Sequence, residues 1–197
     1  MVEIVIKTLD EGYDEYNDQL DQLRRDFGNS KTFLCCIPGG VGSEADAARD
    51  QKKCPELKKV CGLAITKETN KVVGVCQMLF EGMPNIFHKC EEGEACVLIL
   101  AVDPNCYGMG IGTQLMVWAE ALARERECTF MALDVFHNNP SIRLYKRQGY
   151  VIQPRKLWKK LLCAIPFACL MGPIVCPTNS PNYCSYGHFY NMRKELE

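Results

Sequence analysis

An unbroken apolar run at residues 95–102, Ala-Cys-Val-Leu-Ile-Leu-Ala-Val, has the length of a strand. Past it, Leu115, Met116, Trp118, Ala119, Leu122 and Ala123 recur at helical spacing over residues 113–126. The two are joined by Asp103-Pro-Asn-Cys-Tyr-Gly-Met-Gly-Ile-Gly112, a loop with glycine at 108, 110 and 112. A strand that turns through glycines into a helix leaves the first helical N–H groups unbonded, which suits an anion, most often a phosphate. Glycine serves there because the backbone must turn sharply and approach its ligand with no Cβ in the way. The loop is not a Walker A sequence, since no Gly-Lys-Ser/Thr follows. Nor do its alternate glycines match the dinucleotide pattern G-x-G-x-x-G. Without a second motif, the same residues also describe a strand-to-helix turn that binds nothing.

The flanking sequence fits one mixed α/β domain over residues 1–197, a length suited to a single well-cored unit. Residues 2–9 alternate as an opening strand. Residues 12–27, with Tyr13, Tyr16, Leu20, Leu23 and Phe27 at helical intervals, predict an amphipathic helix that Gly28-Asn29-Ser30 ends. A short strand is expected at 32–37. Two apolar runs, 59–66 and 71–81, flank Lys67-Glu-Thr-Asn70 and read as a hairpin. Residues 82–93 form a loop. Beyond the glycine loop and its helix come a buried strand at 129–136, a short helix at 140–148 stopped by Gly149, a strand at 150–153 and a last strand or extension at 187–196. The first half is therefore largely antiparallel. Two stretches read as insertions, the polar 38–55 and the long 156–186.

A formal charge of −1 and a pI near 6.3 exclude a general nucleic-acid binder, which needs excess Lys and Arg. There are 13 cysteines, an odd number, and the opening Met1-Val-Glu-Ile-Val-Ile-Lys7 carries no secretory signal. Cys35, Cys61, Cys76, Cys96 and Cys128 lie in or beside strand-like runs and are expected to be buried, reduced thiols. No C-x-x-C pair occurs, and His88, His137 and His188 are scattered, so no metal is expected. Localisation is read as cytoplasmic, with nuclear or peripheral-membrane placement as alternatives. The latter comes from residues 161–176, uncharged but broken by Pro166 and Pro173, and led by Arg155, Lys156, Trp158, Lys159 and Lys160. Such a segment is too short to span a bilayer and reads as a membrane-surface element, or as a flap or dimer contact through 157–176.

A second motif follows in order: after Ala132-Leu-Asp-Val-Phe136 comes Asn138-Asn-Pro-Ser-Ile-Arg-Leu-Tyr145-Lys-Arg-Gln-Gly149-Tyr150. Together with Leu100-Ala-Val-Asp-Pro104 and the glycine loop, this resembles the Gcn5-related N-acetyltransferase superfamily. Its later motif runs roughly N-x-x-A-x-x-L-Y-x-x-x-G-F/Y, and Asn138, Ser141, Leu144, Tyr145, Gly149 and Tyr150 fall at those spacings. The resemblance is specific over residues 94–151. It implies an α/β (α+β) fold, a mostly antiparallel sheet of about six to seven strands, splayed at a central parallel pair and flanked by helices.

The resemblance also implies transfer of an acetyl group from acetyl-CoA, as co-substrate, to a primary amine by direct attack. The acceptor would be a small molecule, a peptide N-terminus or a lysine. Acetyl-CoA would contact Leu100, Ala101 and Val102 on the strand, with its pyrophosphate on Gly108, Met109, Gly110, Ile111, Gly112 and Thr113. Asn138 or Asn139 would hold it further, or cap the short helix. A backbone N–H near Val102 would polarise the acyl carbonyl. Tyr145 is the candidate acid, because a phenol stays protonated at neutral pH. For the base three residues stand open: Asp134 in mid-strand, Glu94 and His137. Glu94 shares a strand face with Cys96, the position where some family members carry glutamate. The loop also departs from the family pattern, which usually has Arg or Gln at its start and often a basic residue between the glycines; Asn105, Tyr107 and Met109 stand there instead. Phosphate affinity is then expected to rest on N–H groups and the helix dipole. The alternative reading is a weak or silent acyl-CoA-binding domain.

Overall fold

The computed structural model describes residues 3–11, 13–29, 56–83, 90–137, 139–154 and 189–197. Seven strands form one sheet: β1 (Ile4–Thr8), β2 (Cys61–Thr66), β3 (Val72–Phe80), β4 (Glu94–Val102), β5 (Phe130–Phe136), β6 (Val151–Ile152) and β7 (Phe189–Glu195). Their order is β1-β2-β3-β4-β5-β7-β6. Every pairing is antiparallel except β4 with β5. The helices are α1 (Tyr13–Asn29), α2 (Glu56–Lys59), α3 (Ile111–Glu125) and α4 (Ile142–Arg147).

Each face of the sheet is covered by the helix its pattern predicts. On one side Tyr16, Leu20 and Leu23 of α1 pack on Leu63, Ile65, Val75 and Ala101. Burying such side chains contributes about 1.5–3 kcal/mol apiece. Tyr16 keeps its hydroxyl satisfied by donating to Asn70 Oδ1 at 2.9 Å, which ties α1 to the β2–β3 turn. On the other side Ile111, Leu115, Met116, Ala119 and Ala123 of α3 join Cys76, Met78, Met131, Leu133, Tyr145 and Tyr150 in the larger core. Gly62 lets α3 come close: a Cβ there would stand 2.6 Å from the Trp118 ring.

Where the expected strands and helices fall on described residues they are present, with shifted ends. Gly28 lies in the last turn of α1 instead of ending it, a cost of only about 1 kcal/mol for an interior glycine. Lys59 closes the short helix α2, so β2 begins at Cys61. The strand expected at 150–153 is reduced to Val151–Ile152, Tyr150 N being bonded to Tyr145 O at 3.0 Å at the end of α4. Cys61, Cys76, Cys90 and Cys96 are buried thiols, as the strand-like runs suggested for three of them, while Cys128 is half-buried. The expectations for 32–37, 38–55 and 156–186, including the apolar segment 161–176 and the contact through 157–176, lie outside the described residues. Among the described residues no helix is long and apolar enough to cross a membrane.

Candidate active site

The parallel pair β4/β5 is short. Its register runs from Glu94↔Phe130 to Val97↔Leu133 and stops there, although β4 continues to Val102 and β5 to Phe136. Both strands keep their outer partners, β3 and β7. The sheet therefore forks at its centre. At the fork's root Gln77 pairs with Ile99 and Met78 with Val97, so Leu98 is an extra residue in β4. Such a bulge increases local twist and turns a strand away from its neighbour.

Alternation then says which main-chain groups face the opening. Asp103 N donates to Val73 O at 2.8 Å, so the backbone groups of Ala101 also point to β3 and those of Leu100 and Val102 point into the fork. Of the three expected strand contacts, Ala101 is thus engaged elsewhere, its side chain being buried against α1.

The glycine loop stands at the mouth of this fork. Asp103 starts it by accepting hydrogen bonds from Asn105 N and Asn105 Nδ2, both at 3.0 Å, and an ion pair from Lys71 at 2.9 Å. The Lys71 ammonium, seconded by the Asn105 amide, holds the Asp103 carboxyl below the usual carboxylate range. Gly108 and Gly110 have φ of 79° and 80°, a left-handed conformation that costs other residues about 1–2 kcal/mol. A Cβ at either would meet nothing within 4 Å. The amides of Gly108, Gly110, Ile111, Gly112 and Thr113 have no acceptor among the described residues, whereas Gln114 N already bonds Gly110 O at 3.1 Å. Gly112 packs α3 onto its surroundings, a Cβ there lying 3.2 Å from Leu144 Cδ2 and 3.9 Å from Val102 Cγ2. Tyr107 and Met109 project from the loop, both exposed. The loop can hold an anion by N–H groups and helix dipole alone, since residues 103–113 contain no Lys or Arg.

A model of the acetyltransferase (GNAT) family matches residues 13–150. The chain belongs to this family. Its fold is similar to that of Ard1 from Thermoplasma volcanium (TM-score 0.61, 18% identity, 100% of this chain and 99% of that one covered). It is also similar to the NatC complex bound to Gag peptide and CoA (0.65, 16%, 99% and 99%). A third likeness is PaiA N-acetyltransferase from Thermoplasma acidophilum in complex with coenzyme A (0.61, 13%, 98% and 99%). No curated protein sequence matches the chain significantly. The GNAT fold expected from the motifs is the fold observed, including its central parallel pair.

Within this GNAT framework Tyr145 of α4 lies on the α3 side of the fork, 7% exposed, and meets the Tyr150 ring edge-on at 6.2 Å. Burial, with Cys76 adding to it, pushes the phenol above its ordinary value of about 10. No protein group accepts from its hydroxyl among the described residues. Tyr150, by contrast, reaches Met131 Sδ at 3.4 Å. Asp134 is the first residue of β5 past the parallel pairing. Leu133 and Val135 are buried in the α3-side core, so the exposed Asp134 alternates to the opposite face. Tyr145 and Asp134 thus approach the fork from its two faces.

Glu94 is not brought there. It pairs with Phe130 at the closed end, three residues and about 10 Å of strand before Val97. Its carboxylate accepts from Glu91 N at 2.7 Å and its own N–H bonds Glu91 O at 3.1 Å, closing the turn into β4. His137 is exposed just after β5. Asn139 accepts from Ser141 N at 2.8 Å in a turn just ahead of α4, whose N-cap is Ser141; Asn138 lies outside the described residues. One side chain at the fork escaped the sequence reading: Asn191 of β7, which donates to Asp134 Oδ1 at 3.1 Å. Only the β5–β7 register, joining residues 57 apart, reveals it.

Proposed function

We propose that this chain transfers an acetyl group from acetyl-CoA to a primary amine by direct attack, with the forked strands and the glycine loop as its site. The observation that carries the reading is the fork itself: unpaired edges of β4 and β5 open onto a helix N-terminus whose first amides lack acceptors. The empty space in front of Gly108 and Gly110, which a side chain would fill, suits a pyrophosphate.

Acetyl-CoA supplies a thioester whose carbonyl carbon accepts the amine and whose sulfur leaves as thiolate. The amides of Gly108, Gly110, Ile111, Gly112 and Thr113 bind its phosphates, Met109 N being bonded to Cys106 O at 3.4 Å, and the backbone groups of Leu100 and Val102 align its arm and polarise the carbonyl. Asp134 receives the acceptor ammonium. A carboxylate is a much weaker base than an amine, so it holds the ammonium and passes its proton to water instead of storing it. Tyr145 donates a hydrogen bond toward the departing sulfur. Its raised pKa keeps it protonated, yet also makes full transfer to a thiolate near 8.5 uphill. It therefore stabilises the leaving charge as a hydrogen-bond donor.

The uncharged loop favours one other reading, a domain that binds acyl-CoA without turnover. Purified protein with acetyl-CoA and a panel of amines (a peptide with a free N-terminus, Nα-acetyl-lysine, spermidine, phenethylamine) separates them by mass spectrometry. Acetylated product that Gly110→Glu abolishes supports transfer. Calorimetric binding of acetyl-CoA with no product selects the silent domain, and absence of binding removes both.

A further inference from the structure

We propose that Asn191 is a positioning residue, which orients the Asp134 carboxylate at the fork so that the site takes a protonated, cationic amine. This rests on the reading of the fork as the acetyl-transfer site. In the β5–β7 ladder Asp134 is directly opposite Asn191, and directly opposed residues share a face with Cβ atoms about 4.5–5.5 Å apart. The amide Nδ2 donates to Asp134 Oδ1 at 3.1 Å, and both side chains are exposed. An exposed aspartate otherwise samples several rotamers; a bond to one oxygen selects the orientation of the other.

Charge decides what that second oxygen meets. Arg193, opposite Ala132 on the same face, is the nearest cation along β7. Its guanidinium bonds both carboxylate oxygens of Glu195, at 2.7 and 3.2 Å, and lies 3.5 Å from the centroid of Phe130. The cation is thus held away from Asp134, and Asn191 orients the carboxylate without neutralising it. Lys or Arg at position 191 would have cancelled the charge. Across the fork, β4 offers only the apolar 95–102 run. Among the described residues of β4, β5 and β7, the open end of the fork therefore presents one oriented negative charge, Asp134, to an incoming ammonium. In the reaction R–NH3+ passes one proton to water along the free oxygen of Asp134, and the freed amine lone pair forms the N–C bond while the C–S electron pair leaves on sulfur. The acylated nitrogen then gives its second proton to water, which leaves a neutral amide and the CoA thiolate.

The test is a double-mutant cycle on whichever panel amine is acetylated, joined to side-chain amide NMR of Asn191. Asn191→Ala should lower kcat about three- to tenfold, the worth of one net hydrogen bond, and leave the KM for acetyl-CoA unchanged. In an Asp134→Ala background the same change should cost nothing further, and Asn191→Gln should restore part of the rate. Equal losses in both backgrounds, or a change confined to the KM for acetyl-CoA, would overturn the proposal. The NMR arm needs no turnover. The Asn191 Nδ2 resonances should move during acid titration in the wild type and stay still in Asp134→Ala; no movement in the wild type would refute the pairing. If the wild type acetylates no amine while those resonances move, the transfer reading fails and the pair stands.

Discussion

Tyr145 and Gly110 make opposite demands on a substitution, and each demand can be measured. Tyr145 is buried, yet its hydroxyl has no protein acceptor among the described residues, so folding gains little from that oxygen. Tyr145→Phe should leave the melting temperature within about 2 °C, while lowering kcat by about 10- to 100-fold through loss of the bond to the leaving sulfur. A variant that melts early and turns over normally would make Tyr145 structural. At Gly110 the space is free, but the backbone, with φ of 80°, has a left-handed conformation that strains any residue other than glycine. Gly110→Ala should cost about 1–2 kcal/mol of stability and raise the KM for acetyl-CoA with little change in kcat. Steady-state kinetics and a urea melt check both halves.

The elements are joined by a few polar contacts whose loss should cost more than their number suggests. Lys194 of β7 donates to Glu120 of α3 at 2.8 Å, with Arg124 at 3.8 Å and the Glu120 carboxylate 9% exposed. Its other oxygen is buried with no hydrogen-bond partner among the described residues. Removing the lysine leaves a buried charge poorly compensated, so Lys194→Met should destabilise the fold by about 3 kcal/mol, whereas Glu120→Gln should cost less. Denaturant unfolding of both variants tests this. At this scale the sequence was largely readable: apolar runs marked the strands, and the 3.6-residue period marked α1 and α3. The fork was not. Leu98 looks like every other residue of its run, and nothing in 95–102 says that the parallel pairing ends at Val97. Nor does the run say where Glu94 falls, since its place at the closed end is a matter of register. Asn191 is invisible without the strand that brings it beside Asp134.

For the whole molecule, the buried acids set the response to pH. Burial, then Cys61, raises the Cys76 thiol; burial also raises Tyr145 and Tyr150. Folded, these groups keep their protons, while an unfolded chain begins to release them near pH 8.5 for thiols and near 10 for phenols. A raised folded pKa leaves stability intact below the unfolded value and erodes it as pH rises toward the folded one. Melting temperature should therefore hold from pH 7 to about 8 and decline above about 8.5, with a shallower slope in Cys76→Ala. A flat profile to pH 10 would contradict this. The account's central claim, that the fork and the first turn of α3 together hold acetyl-CoA, is tested most directly by amide hydrogen exchange with and without that ligand. Protection should rise at Leu100 and Val102 and across Gly108–Thr113, and hardly change in β1–β3. Protection confined to other segments, or none at all at saturating acetyl-CoA, would contradict it.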